Sequence, residues 1–168
     1  MKKVLIKCVF LCMIYVLQSS IFSFVDILGV RPDFLLGSII AVSLQSEDIE
    51  GGIYGLVFGL LQDLHFGYII GIGGFSKFVT GYLTGYYTRI LFKSNILLPF
   101  VVGFAGSILH ECIIAIIMYL TQFEYSFSPN ILKTIIPYAF LNALICVLTY
   151  NILRKIENSL FKHKGVVG

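Results

Sequence analysis

"GGIYGLVFGLLQDLHFG", residues 51–67, is the stretch whose reading decides the fold. Glycines stand four apart at Gly51, Gly55 and Gly59, Asp63 takes the next slot, and Gly67 follows. In water such a helix would be weak, because each interior glycine costs about 1 kcal/mol relative to alanine. Inside a bilayer helices gain nothing by hiding from water, so small residues that let two backbones approach hold them together. The solvent decides what the glycines mean.

Composition identifies that solvent. Of 168 residues 58% are hydrophobic and only 12% are charged, about half the charged fraction of a soluble domain. The apolar residues also form long runs, at 4–25, 34–46, 49–66, 70–92, 96–120 and 132–153. This pattern predicts an all-α integral membrane protein, a six-helix transmembrane bundle with one domain over 1–168. Residues 34–46 reach only about 20 Å as a helix, so five spans with a re-entrant pair is the alternative. The basic, apolar N-terminus resembles a secretory signal, but no A-x-A-like cleavage site follows, and Leu11 before Cys12 does not suit a lipoprotein site. Residues 4–25 are expected to stay as the first span.

Lysines and arginines set the expected orientation. With six spans and a cytoplasmic N-terminus, Lys2, Lys3, Lys7, Arg89, Lys93, Arg154, Lys155, Lys162 and Lys164 fall at the cytoplasmic side, nine of the twelve basic residues. Both termini are then cytoplasmic. The 121–130 loop, with Phe123, Tyr125 and Phe127, reads as an outer interfacial anchor. The tail from Arg154 reads as a juxtamembrane segment attracted to anionic lipid.

The fourth run carries its own row: Gly73, Lys77, Gly81, Gly85 and Arg89. A short turn joins the third and fourth runs, so they are expected to pack antiparallel, with Gly51, Gly55, Gly59, Gly73, Gly81 and Gly85 as the packing positions. Gly59→Leu is expected to block that approach. Each row holds one charge, and charges in lipid face protein or water and pair. Asp63 with Lys77 is one expected pair; the alternative has Asp63 capping the "LHFGYIIG" turn while Lys77 snorkels outward. In the fifth run Gly103, Ser107 and His110 share a face and Glu111 points about 100° away. His110 and Glu111 fit interhelical hydrogen bonding or an ion pair with Lys77, with a proton relay as the rival. Asn142, one turn beyond Pro137, is expected to bond another helix.

Catalytic signatures are missing from the sequence. "GIGGFSKF" (71–78) lacks the spacing of a phosphate loop, and His65, His110 and His163 form no H-E-x-x-H. No serine sits in a G-x-S-x-G elbow. Cys8, Cys12, Cys112 and Cys146 lie in apolar runs and read as packing residues. The expectation is no enzyme, no cofactor, no metal and no nucleic-acid partner.

Three stretches together, "RPDFLL" (31–36), "GGIYGLVFGLLQDLHFGYIIGIGGF" (51–75) and "IPYAFLN" (136–142), resemble the rod shape-determining protein MreD family. The central pattern, with Gly55, Gly59, Asp63 and Gly71, carries most of the resemblance, and Pro32 and Glu111 also fit; Lys77 lies outside it. The resemblance implies a non-catalytic protein of the bacterial cytoplasmic membrane. Its implied partner is the bitopic protein MreC, and through it MreB filaments, a RodA-type glycosyltransferase and a penicillin-binding protein. It also implies likeness to the S-components of vitamin transporters, with a pocket opening outward near Asp63 and Glu111. Two rival functions follow: a solute-binding subunit, against which the alanine-free first span speaks, and a proton-coupled carrier using Lys77, Asp63 and Glu111.

Overall fold

With no water to bond backbone groups in a bilayer, a spanning chain satisfies them within helices, and the described residues of this chain form six. The computed structural model describes residues 2–20, 26–27, 29–66, 69–90, 97–121 and 131–162. Its helices are α1 (Lys2–Ser20), α2 (Phe34–Ser43), α3 (Asp48–Phe66), α4 (Ile72–Ile90), α5 (Leu98–Leu120) and α6 (Ile131–Lys162). Three are long and apolar enough to cross a membrane: α1, α5 and the Thr134–Leu160 part of α6. In α3 and α4 the glycines and polar residues lower the apolar content. Gly55, Gly59 and Asp63 of α3 and Ser76, Lys77, Thr80 and Gly81 of α4 are buried, and the exposed face of α3 is Ile49, Ile53, Leu56, Val57, Leu61 and Leu64.

The centre of the bundle is α2. Every residue from Leu35 to Ser43 is buried, and α2 touches all five other helices. Ten residues give it a length of about 15 Å, half of a hydrocarbon core of about 30 Å. The 34–46 run is therefore an enclosed half-length helix rather than a lipid-facing span. Being buried in protein is what lets so short an element sit at membrane depth. Two clusters wrap it: Leu11, Tyr54, Phe58 and Leu153 pack on Leu35, Ile39 and Val42, while Cys146 packs with Leu36, Ile40 and Ala41.

The α3–α4 hairpin is the tightest pair. A Cβ on Gly55 would strike the carbonyl of Lys77, and one on Gly81 the carbonyl of Gly51. A Cβ on Gly59 would fall 2.7 Å from the Cα of Gly74. Backbone meets backbone along the row, a separation any side chain would widen. Gly85 is buried on the same helix. Two glycines on α5 work similarly: Gly103 lies against Ala143 and Cys146 of α6, and Gly106 against Ile40 and Thr80. The expected aromatic anchor residues Phe123, Tyr125 and Phe127 and the basic residues Lys93 and Lys164 lie outside the described residues. Helix α6 continues beyond the expected end of the last span at 153, to Lys162.

Candidate functional site

Two polar clusters of the bundle sit at the two ends of α2. At its N-terminus Asp33 is the N-cap, its carboxylate accepting from the backbone N–H of Leu36 at 3.0 Å. A cap of this kind satisfies an orphan donor and places negative charge at the positive end of the helix dipole. The same carboxylate accepts from Lys77 Nζ at 3.0 Å, Gln18 Nε2 at 3.1 Å and Gln62 Nε2 at 3.4 Å. Gln18 Oε1 accepts in turn from the Leu35 N–H at 2.6 Å. The N–H of Asp33 donates to Asn142 Oδ1 at 2.9 Å. One residue thus joins α1, α2, α3, α4 and α6. Helix α5 enters the layer through His110, whose Nδ1 lies 2.8 Å from Ser76 Oγ of α4.

At the C-terminus of α2 the charge is reversed. Lys7 of α1 is buried and donates to the Gln45 carbonyl at 2.8 Å and to Ser46 Oγ at 2.9 Å. It also pairs with Glu50 of α3 at 3.5 Å, and Tyr54 donates to the same carboxylate at 2.8 Å. A cation just past the C-terminal end of a helix is the complement of an acid at its start. Lys7 and Gln18 are eleven residues apart on α1, about 16 Å. The two polar layers are thus closer together than a hydrocarbon core of about 30 Å is thick. At least one of them lies inside apolar surroundings, where an unpaired charge is costly.

Lys77 does not pair with Asp63. The sequence reading overlooked Asp33, and that nearer carboxylate takes the ammonium; the expected Glu111–Lys77 pair does not form within 4.0 Å for the same reason. Asp63 instead accepts from the N–H groups of Gly71 and Gly74, both at 2.9 Å. It caps the first turn of α4 from the neighbouring helix, and Lys77 turns inward rather than snorkelling. Gly71 has φ +105, a backbone region that glycine enters without strain, and this conformation aims its N–H at the acid. Gly73 leaves the room: a Cβ there would collide with the Asp63 carboxylate.

Of the other expected polar residues, His110 and Asn142 join the Asp33 layer, and Glu111 is hydrogen-bonded to Tyr138, which in turn bonds Asn142. Glu111 lines a cleft of about 350 Å³ together with Asp26, Gly29, Val30, Arg31, Thr134, Ile135 and Tyr138. Asp63 is not among its lining residues, so the expected pocket near both acids contains only one of them. Gln18, Asp33, Gln62 and Ser76 were not legible as site residues. A signal for one existed: an Asp directly before the apolar run at Phe34 is a helix-start pattern. Among the described residues no group of three His, Cys, Asp or Glu side chains could hold a metal.

Apolar helix faces outside, and charges drawn inward to close on one another around a buried half-length helix, define a helical membrane protein. This chain belongs to the MreD family: the model of rod shape-determining protein MreD matches residues 1–159. That membership places it among the proteins that determine rod shape. No curated protein and no solved structure matches the chain.

Proposed function

We propose that the chain is a non-catalytic scaffold of the bacterial cell-wall elongation complex, a single six-helix domain of the cytoplasmic membrane. Both termini face the cytoplasm, so the Asp33 end of the bundle faces outward. Its direct partner is an MreC-like bitopic protein. MreB-like filaments, a RodA-type glycosyltransferase and a penicillin-binding protein are reached through the assembly. The observation that carries this reading is the family match over residues 1–159. The polar layers support it, because their charged groups are engaged with one another and with backbone, as in a rigid structural element.

A solute-binding subunit of a transporter is the second reading, favoured by the cleft beside Glu111 and opposed by an α1 without alanine. Affinity purification of the full chain from its own membranes separates the two. Recovery of the bitopic partner and wall synthases supports the scaffold; recovery of an ATPase pair in their place contradicts it.

A further inference from the structure

Charged groups of this bundle differ in how they are partnered. Lys7 closes on Glu50, Lys77 on Asp33, and Asp63 on two backbone N–H groups. Three others, Asp26, Arg31 and Glu111, line one cleft of about 350 Å³. Among the described residues none of these three forms an ion pair. The cleft lies between α5, the start of α6 and the 26–31 segment. That segment is turned by a tight Ile27–Val30 bridge with Gly29 at φ +75.

Glu111 follows His110, which is bonded into the Asp33 layer, so its carboxylate sits close to the depth of that layer. The carboxylate is hydrogen-bonded to Tyr138 but has no counter-charge of its own among the described residues, and the cleft gives a solute access to it. Tyr138 shares the wall; its hydroxyl is bonded to Glu111 and Asn142, and a phenol oxygen that donates its proton to a carboxylate keeps acceptor capacity. Arg31 brings a fixed cation with forked donors suited to a carboxylate or phosphate. Acceptors and donors thus face one space at the lower end of the size range for small-molecule sites.

We infer that this cleft binds a zwitterion carrying a primary ammonium and an acidic group, the chemistry shared by free amino acids and a phosphoethanolamine lipid headgroup. The ammonium is held by Glu111, Asp26 and the Tyr138 oxygen, and the acidic group by Arg31. A primary ammonium offers three N–H donors to those acceptors. A quaternary ammonium offers none and is held instead by several aromatic faces, of which the cleft has one. Tyr138 lies one helical turn before Asn142, so the bound zwitterion sits against the helix that holds the Asp33 N–H. This inference does not depend on which partner the bundle serves.

The test is native mass spectrometry of the full chain in detergent. It is titrated separately with phosphatidylethanolamine, with phosphatidylcholine of the same acyl chains, and with L-alanine. The expected result is phosphatidylethanolamine bound about tenfold or more tightly than phosphatidylcholine, or saturable binding of L-alanine, lost in Glu111→Gln and in Arg31→Gln. Lipid preference assigns the zwitterion to the bilayer, and alanine binding assigns it to a soluble solute. Equal binding of the two lipids with no alanine binding overturns the inference. So does a preference that survives either substitution. Arg31 is exposed, so its variant keeps the test decisive if Glu111→Gln does not fold.

Discussion

At the Asp33 end of α2 one residue gathers side chains from four other helices, three on its carboxylate and one on its backbone N–H, whereas at the Lys7 end an ammonium closes on the α2–α3 turn and one acid. Both ends complement the dipole of the same ten-residue helix, yet they differ in reach and in burial. The Asp33–Lys77 pair is nearly sealed, with both side chains at about a tenth exposure or less, while Glu50 keeps 27% of its side chain accessible. The contrast teaches how a helix too short to cross a bilayer is kept at membrane depth. One end is tied into the whole bundle, and the other is latched locally.

Breaking the sealed end has the largest expected effect. Lys77→Met leaves Asp33 a buried carboxylate with only neutral partners, and about 3–5 kcal/mol of stability is lost. Thermal unfolding in detergent micelles, followed by helix content, measures it; a change no larger than that of Lys7→Met would erase the distinction between the ends. Next comes Gly59→Leu, whose side chain must displace the Gly73–Gly74 backbone. About 1–3 kcal/mol or more is expected, together with loss of partner recovery from membranes. Full stability in this variant would mean that the hairpin tolerates separation.

Asp63→Ala removes a cap supplied across the hairpin and is expected to cost about 1–2 kcal/mol. Amide hydrogen exchange at Gly71 and Gly74 should rise in that variant, and unchanged protection there would contradict the capping role. The smallest effect belongs to Lys7→Met. With Glu50 partly screened by solvent, about 1 kcal/mol is expected, and a loss rivalling that of Lys77→Met would show the Lys7 end to be as sealed as the other.

How much of this was legible in the sequence depends on whether a residue's role is local. The helices follow from apolar runs, and Gly51, Gly55, Gly59 and Gly81 are visible because regular spacing along one helix is a one-dimensional signal. The partner of Lys77 was not visible. Asp33, Asp63 and Glu111 are all acids in or beside apolar runs, and only the packing of α2 inside the bundle brings Asp33 to the ammonium. Gln18 and Gln62 are ordinary polar residues near helix ends until α2 is placed between them. The 34–46 run marked α2 as short, but its complete burial is a property of six helices together. Glu111 is easy to notice as an acid in an apolar run, yet its position in a cleft with Asp26 and Arg31 joins residues some 80 apart in the chain.

A double-mutant cycle on Asp33 and Lys77 tests most directly the claim that this pair fixes α2 within the bundle. Unfolding free energies of the parent, Asp33→Asn, Lys77→Met and the double variant are measured in the same micelles. Coupling predicts that the double variant is less destabilised than the two single losses added together, by about 1–3 kcal/mol. Losses that add to within about 0.5 kcal/mol would show the two residues to act independently, and the account of α2 would fail.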